Sequence, residues 1–194
     1  MNPTGAAAGE APRAGNVVLI GMPGAGKSTV GVLLAKRLGL GFVDTDILIQ
    51  ERAGRQLQQI MDDGGYRELR RLEEEAILAL AARGAVVATG GSVVYSERAM
   101  RRLGAGGVLV YLRAKPEVLA ARIDDYGRRG IANPAGQSFS EIYRERTPLY
   151  ERWAALVVDV DQLTHEGAAR AVSAGVRTTR PGAFSEPGDG MAAV

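Results

Sequence analysis

The residues with the clearest chemistry are Gly21-Met22-Pro23-Gly24-Ala25-Gly26-Lys27-Ser28, which fit the pattern G-x-x-x-x-G-K-[ST] at every position. The pattern has a physical purpose. Polyphosphate oxygens must be held by many backbone N–H groups at close range, and Gly24 and Gly26 remove the Cβ atoms that would block that approach. A helix opening near Lys27 adds the positive end of its dipole. Gly21, Gly24, Ala25 and Gly26 then form a phosphate cradle. Lys27 neutralises charge between the β- and γ-phosphates of ATP, and Ser28 offers a hydroxyl to Mg2+, with Thr29 beside it. The run follows the apolar residues Val17–Ile20 and opens an amphipathic stretch. That strand-then-helix context separates it from a glycine-rich turn with an incidental lysine. Nucleotide binding alone does not name a reaction, because GTPases, ATPases and kinases share this loop.

Two carboxylates come next, in Phe42-Val43-Asp44-Thr45-Asp46 directly after a second short apolar run. Placed at a strand end near the phosphate loop, Asp44 can hold magnesium through water. Asp46 can accept a hydrogen bond from an acceptor hydroxyl and orient or deprotonate it, which a phosphoryl acceptor requires. Asp44 or Thr45 capping a following helix is the structural alternative, and one aspartate can do both.

Further along stand Leu69-Arg70-Arg71-Leu72-Glu73 on a charged helical stretch, Ala88-Thr89-Gly90-Gly91 after a third apolar run, and Glu145-Arg146-Thr147-Pro148-Leu149-Tyr150 near the end. This ordered series, together with the phosphate loop and Asp-Thr-Asp, resembles the shikimate kinase family over nearly the whole folded unit. The resemblance implies ATP- and Mg2+-dependent phosphorylation of a small hydroxylated carboxylate, shikimate first, in aromatic amino acid biosynthesis. By the same resemblance Asp46 is the acceptor-binding aspartate and base, and Asp44 the magnesium-linked one. Arg70 and Arg146 hold the substrate carboxylate, and Gly90 and Gly91 give backbone contact to the substrate. Arg122 packs on adenine, and Arg129 is a lid arginine reaching toward the phosphates. Solvated helix-face pairing of Arg70 and Arg71 with Glu73–Glu75, bridging of Arg146 to Glu141 or Glu145, and a simple turn at Gly90-Gly91 are the structural alternatives.

The chain departs from that pattern in four places. Ser92 stands where the family has a third glycine, and Arg129-Gly130-Ile131-Ala132 replaces a lid normally containing proline. Tyr66 stands where an acidic residue is expected, and Leu69 where an aromatic is common. These positions bear on the acceptor rather than on ATP, so a related kinase for gluconate or a hydroxy amino acid is a second reading. A non-catalytic nucleotide switch is a third. It is disfavoured because the Asn-Lys-x-Asp guanine-reading motif is missing and Asp62-x-x-Gly65 lies in a polar turn rather than after a core strand.

The elements that must position these groups alternate between short apolar runs and longer amphipathic stretches. Strands are expected over Val17–Ile20, Gly41–Val43, Ala85–Ala88, Val108–Leu112 and Leu156–Val160. Helices are expected over Gly26–Leu38, Arg67–Ala82, Pro116–Ile123, Phe139–Trp153 (with a kink or break at Pro148) and His165–Ala174. Strands alternating with helices imply an α/β fold with a parallel sheet covered on both faces. The resemblance makes this the three-layer α/β/α, five-stranded architecture of P-loop nucleoside-monophosphate-kinase-like proteins. Residues 1–15 read as a disordered lead, 16–175 as the kinase domain with a lid over about 124–138, and 176–194 as a disordered tail.

Composition limits the chemistry further. The 194 residues suit one domain, and 46% hydrophobic content can build its core. With no cysteine and the single histidine His165, disulfides, thiolate metal sites, cysteine nucleophiles and histidine clusters are out. A net charge of +2 is too small to argue for nucleic acid. No stretch suits a membrane span, and Met1–Gly15 lacks a basic start followed by an apolar run, so it is not a secretory signal. A monomeric cytoplasmic enzyme acting on a small molecule is expected.

Overall fold

A computed structural model describes residues 15–122 and 137–179. In chain order the elements are β1 (Asn16–Ile20), α1 (Lys27–Leu38), β2 (Gly41–Asp44), α2 (Thr45–Ala53), α3 (Leu57–Leu78), β3 (Ala85–Ala88) and a 3-10 turn (Val93–Tyr95). They continue with α4 (Glu97–Gly106), β4 (Gly107–Arg113), α5 (Pro116–Arg122), α6 (Phe139–Trp153), β5 (Leu156–Asp159) and α7 (His165–Val176). The strands form one five-stranded sheet in the order β2-β3-β1-β4-β5, with every pairing parallel.

β1, β3 and β4 are continuous apolar runs because helices cover both faces of the sheet. Right-handed crossovers set which helix lies where. The step from β1 to β2 runs one way along the sheet, and the steps from β2 to β3, β3 to β4 and β4 to β5 run the other. α1 therefore lies on one face, where α7 packs against it, and α3, α4 and α6 occupy the opposite face. The main core joins the central strands to α1, α4, α6 and α7, and a smaller cluster of Ile49, Ile60, Leu69 and Ala76 ties α2 to α3. The three-layer arrangement is the one expected from the sequence.

Several local features differ from expectation, among them α4, which has no counterpart among the expected helices. α3 begins ten residues before Arg67, at Leu57, and turns through Gly65, whose φ of 70° and ψ of −176° interrupt the helix. Asp62-x-x-Gly65 is therefore helical on its first side rather than a polar turn. The fully buried Ile60 explains this, since it anchors the first segment in the smaller cluster. α6 runs unbroken through Pro148. A mid-helix proline costs about 3 kcal/mol. Here buried Arg146, Tyr150 and Trp153 hold the turns on either side, and the Thr147 hydroxyl donates to the Tyr143 carbonyl at 2.7 Å. Finally, α2 starts at Thr45 because the Asp44 side chain accepts the Asp46 N–H at 3.0 Å. The capping alternative for Asp44 is realised.

Candidate active site

The motif residues gather where the C-terminal ends of β1, β2 and β3 meet, as ligand sites do in open parallel sheets. They line a cavity of about 880 Å³, within the range of small-molecule sites.

The loop after β1 wraps back so that Gly26 takes φ 89° and becomes the N-cap of α1, a left-handed conformation that favours glycine. The Lys27 ammonium is buried inside this loop and donates to the carbonyls of Gly21 at 2.8 Å and Met22 at 3.0 Å. Burial pushes Lys27 down to about 8, against the pull of Asp46, Glu73 and Asp44. Ser28 and Thr29 line the same cavity, as do Arg122, Leu163 and His165. Arg122 is fixed at the end of α5 by donating to the Val160 carbonyl at 3.3 Å. The His165 imidazole lies against Gly26, where an added Cβ would sit 3.2 Å from Cδ2.

The loop after β3 is tied down on every side. Thr89 Oγ1 donates to the Leu19 carbonyl at 3.0 Å, the Gly90 N–H donates to Thr45 Oγ1 at 3.1 Å, and the Tyr150 hydroxyl donates to the Gly91 carbonyl at 2.5 Å. This fixes a bare stretch of backbone between charged groups. A Cβ on Gly90 would collide with Glu73 Oε1 and lie 2.9 Å from Asp46 Oδ1, and one on Gly91 would lie 3.1 Å from an Arg146 terminal nitrogen. The Arg146 side chain is only 1% exposed.

Glu73 is a further cavity residue, which the sequence places at the end of the Leu69–Glu73 run without giving it a role. It is 3% exposed and lines the cavity. Its Oε2 accepts a short hydrogen bond from the Ser92 hydroxyl, while Oε1 has no partner among the described residues. The signal available in the sequence was spacing, because Glu73 sits one helical turn after Leu69 and Arg70.

Two carboxyls over one glycine titrate as a pair. Burial raises Asp46 to about 6, with Asp44 adding and Lys27 opposing. Burial raises Glu73 to about 7, with the Ser92 hydrogen bond opposing and Asp46 adding. A raised value keeps a base protonated, and so inactive, further up the pH scale. kcat/KM for the acceptor is therefore expected to fall as pH drops below about 6 to 7 and to level off above it. A pH–rate profile that stays flat to pH 5 would contradict this assignment.

A family model for shikimate kinase matches residues 23–176. The chain belongs to the shikimate kinase family. It is 38% identical over 161 residues to a shikimate kinase of Thermodesulfovibrio yellowstonii, covering 81% of this chain and 92% of that protein. It is 42% identical over 157 residues to one from Mycobacterium avium, covering 78% and 86%. Among solved structures it resembles the shikimate kinase from Acinetobacter baumannii in complex with shikimate, with a TM-score of 0.76, 28% identity and coverage of 82% and 90%.

The expected site residues fall into four groups. Lys27, Ser28, Thr29, Asp46, Gly90, Gly91, Arg122 and Arg146 line one cavity with Gly24 and Gly26. Gly21 accepts from Lys27, the buried Ala25 lies in the loop, and Asp44 caps α2 beside them. Arg70 does not line the cavity. Its guanidinium stacks 3.7 Å from the centre of the Tyr95 ring, with Tyr66 at 5.0 Å. Arg129 and nearly all of the expected lid lie outside the described residues. Of the four departures, Ser92 holds Glu73, Tyr66 faces Arg70, and Leu69 is buried at the cavity wall.

Proposed function

We propose that this chain phosphorylates shikimate, moving the γ-phosphoryl group of ATP to a ring hydroxyl to give shikimate 3-phosphate and ADP. One observation carries the reading. Over the bare Gly90-Gly91 backbone, an Asp46 carboxyl oxygen stands on one side and a buried Arg146 guanidinium on the other. An acceptor resting there is offered a base for a hydroxyl and a cation for a carboxylate, and shikimate carries both groups.

In this reading the acceptor hydroxyl gives its proton to Asp46 as its oxygen bonds to the γ-phosphorus. The bond from phosphorus to the β–γ bridging oxygen breaks, and the electron pair leaves with ADP. Lys27 and the loop N–H groups stabilise charge on the phosphates. The donor set suits Mg2+, which takes one or two protein oxygens and completes its shell with phosphate and water. Ser28 and Asp44 would hold it, and the ion would neutralise phosphate charge. Among the described residues no cluster of three or more histidine, cysteine or acidic side chains could hold a metal without the nucleotide. Arg122, Leu163 and His165 would border the base, and Arg129 would close over the phosphates from the lid segment. Among the described residues no helix is long and apolar enough to cross a membrane. ATP as donor and a small metabolite as acceptor fit a monomer working in the cytoplasm.

Arg146→Ala tests the reading. Losing a buried charge partner costs a bound carboxylate about 2 kcal/mol or more, or roughly 30-fold. The expected result is a shikimate KM raised by about that factor with the KM for ATP little changed. A normal shikimate KM would remove the carboxylate clamp from the account.

A further inference from the structure

Tyr95 ends the 3-10 turn that follows Ser92, and the two arginines assigned to the acceptor meet on its ring. Arg70 reaches it from α3, with the guanidinium carbon 3.7 Å from the ring centre. Arg146 reaches it from α6, with its guanidinium carbon at 5.3 Å. The ring itself is held in place. Its hydroxyl accepts from Arg146 Nε at 3.4 Å and is bonded to the Glu145 carboxylate, and Glu145 in turn accepts from Gln137 Nε2 at 2.6 Å. A second ring, Tyr66, lies 5.0 Å from the Arg70 guanidinium carbon.

Two guanidiniums brought to one place disfavour each other. Burial lowers Arg70 from its ordinary value, and the Arg146 cation adds to that. An aromatic face meets this problem in a particular way. Its negative quadrupole attracts the flat side of a guanidinium, while the N–H donors project in the guanidinium plane and remain directed at a planar anion. A ring that cations from two helices both reach can therefore set their spacing, Arg70 against the ring at 3.7 Å and Arg146 also through its Nε on the hydroxyl.

We propose that Tyr95 is a positioning residue for the acceptor: Arg70, stacked on the ring outside the cavity lining, and Arg146, at the cavity wall, share one seat from which both N–H edges can close on one carboxylate. Tyr66 completes the seat on Arg70 alone. The inference rests on the shikimate reading above and deepens it, since it makes recognition of the acceptor carboxylate depend on a residue that does not touch it.

Steady-state kinetics with Mg-ATP test this on the wild type and on Tyr95→Leu, Tyr95→Phe and Tyr66→Leu. Tyr95→Leu is expected to raise the shikimate KM about 10- to 30-fold, the scale of one desolvated cation–π contact, with kcat at saturation and the KM for ATP nearly unchanged. Tyr95→Phe keeps the ring and is expected to raise it about threefold or less, and Tyr66→Leu is expected to fall between the two. With a cyclohexene triol lacking the carboxylate, Tyr95→Leu and the wild type are expected to share one kcat/KM. The proposal is overturned if Tyr95→Leu leaves the shikimate KM at the wild-type value, or if it weakens the carboxylate-free acceptor equally. If Tyr95→Leu does not fold, Tyr66→Leu decides, and a wild-type shikimate KM there overturns the proposal. Wild-type protein that fails to phosphorylate shikimate would instead overturn the acceptor reading and this inference with it. Failure of the inference alone shows as normal wild-type turnover with insensitive variants.

Discussion

Lys27→Ala is expected to lower kcat about 1,000-fold, the loss seen when a preorganised charge-stabilising donor is removed from a transferring group. The geometry makes the lysine hard to replace. Its ammonium is already buried in the loop, bonded to the Gly21 and Met22 carbonyls, so it meets the phosphates without reorganising. The substitution should not unfold the protein, because a buried ammonium is costly and its removal relieves that cost. A titration checks this second point. Burial holds Lys27 at about 8 in the folded protein against 10.5 ordinarily, so between those values the unfolded chain binds more protons. Stability from this group therefore rises with pH through that window. Lys27→Ala should lose that rise, which urea unfolding at pH 8 and pH 10 would detect. Wild-type kcat in Lys27→Ala would end the phosphate-loop account.

Asp46→Asn is expected to lower kcat about 100- to 10,000-fold, the range for a general base, while the KM for ATP shifts little. Asparagine has nearly the same shape and keeps the backbone N–H that donates to Asp44, so the fold of α2 should survive. What is lost is the site for the acceptor proton, 2.9 Å from where a Cβ on Gly90 would stand. The acid limb near pH 6 should weaken along with it, leaving only the part owed to Glu73. A variant that loses ATP affinity and keeps kcat would move Asp46 from the acceptor to the nucleotide.

Much of this site is legible in the sequence because chain proximity builds it. The phosphate loop needs only a strand, glycines and a helix start in succession, and residues 16–38 supply all three. The parallel sheet is legible because strands buried on both faces must be apolar throughout, as in Val17–Ile20 and Ala85–Ala88. Contacts between distant elements are harder to read. Glu73 looks like one acid among Glu73-Glu74-Glu75, and only the loop after β3, bringing Ser92 to it across 19 positions, separates it from its neighbours. Tyr95 carries no motif, and it matters because α3 and α6 deliver two arginines to the same ring. The first segment of α3 is hidden by Gly64 and Gly65, which read as a turn until burial of Ile60 is known. Pro148 misleads in the opposite sense, because the packing around it outweighs a local preference.

Phosphoryl transfer from ATP to shikimate is checked by ADP release from Mg-ATP with shikimate, gluconate, homoserine or no acceptor. Fast release with shikimate, accompanied by shikimate 3-phosphate in equal amount, is expected, with background release in the other three. Background release with shikimate, or faster release with gluconate or homoserine, would contradict it.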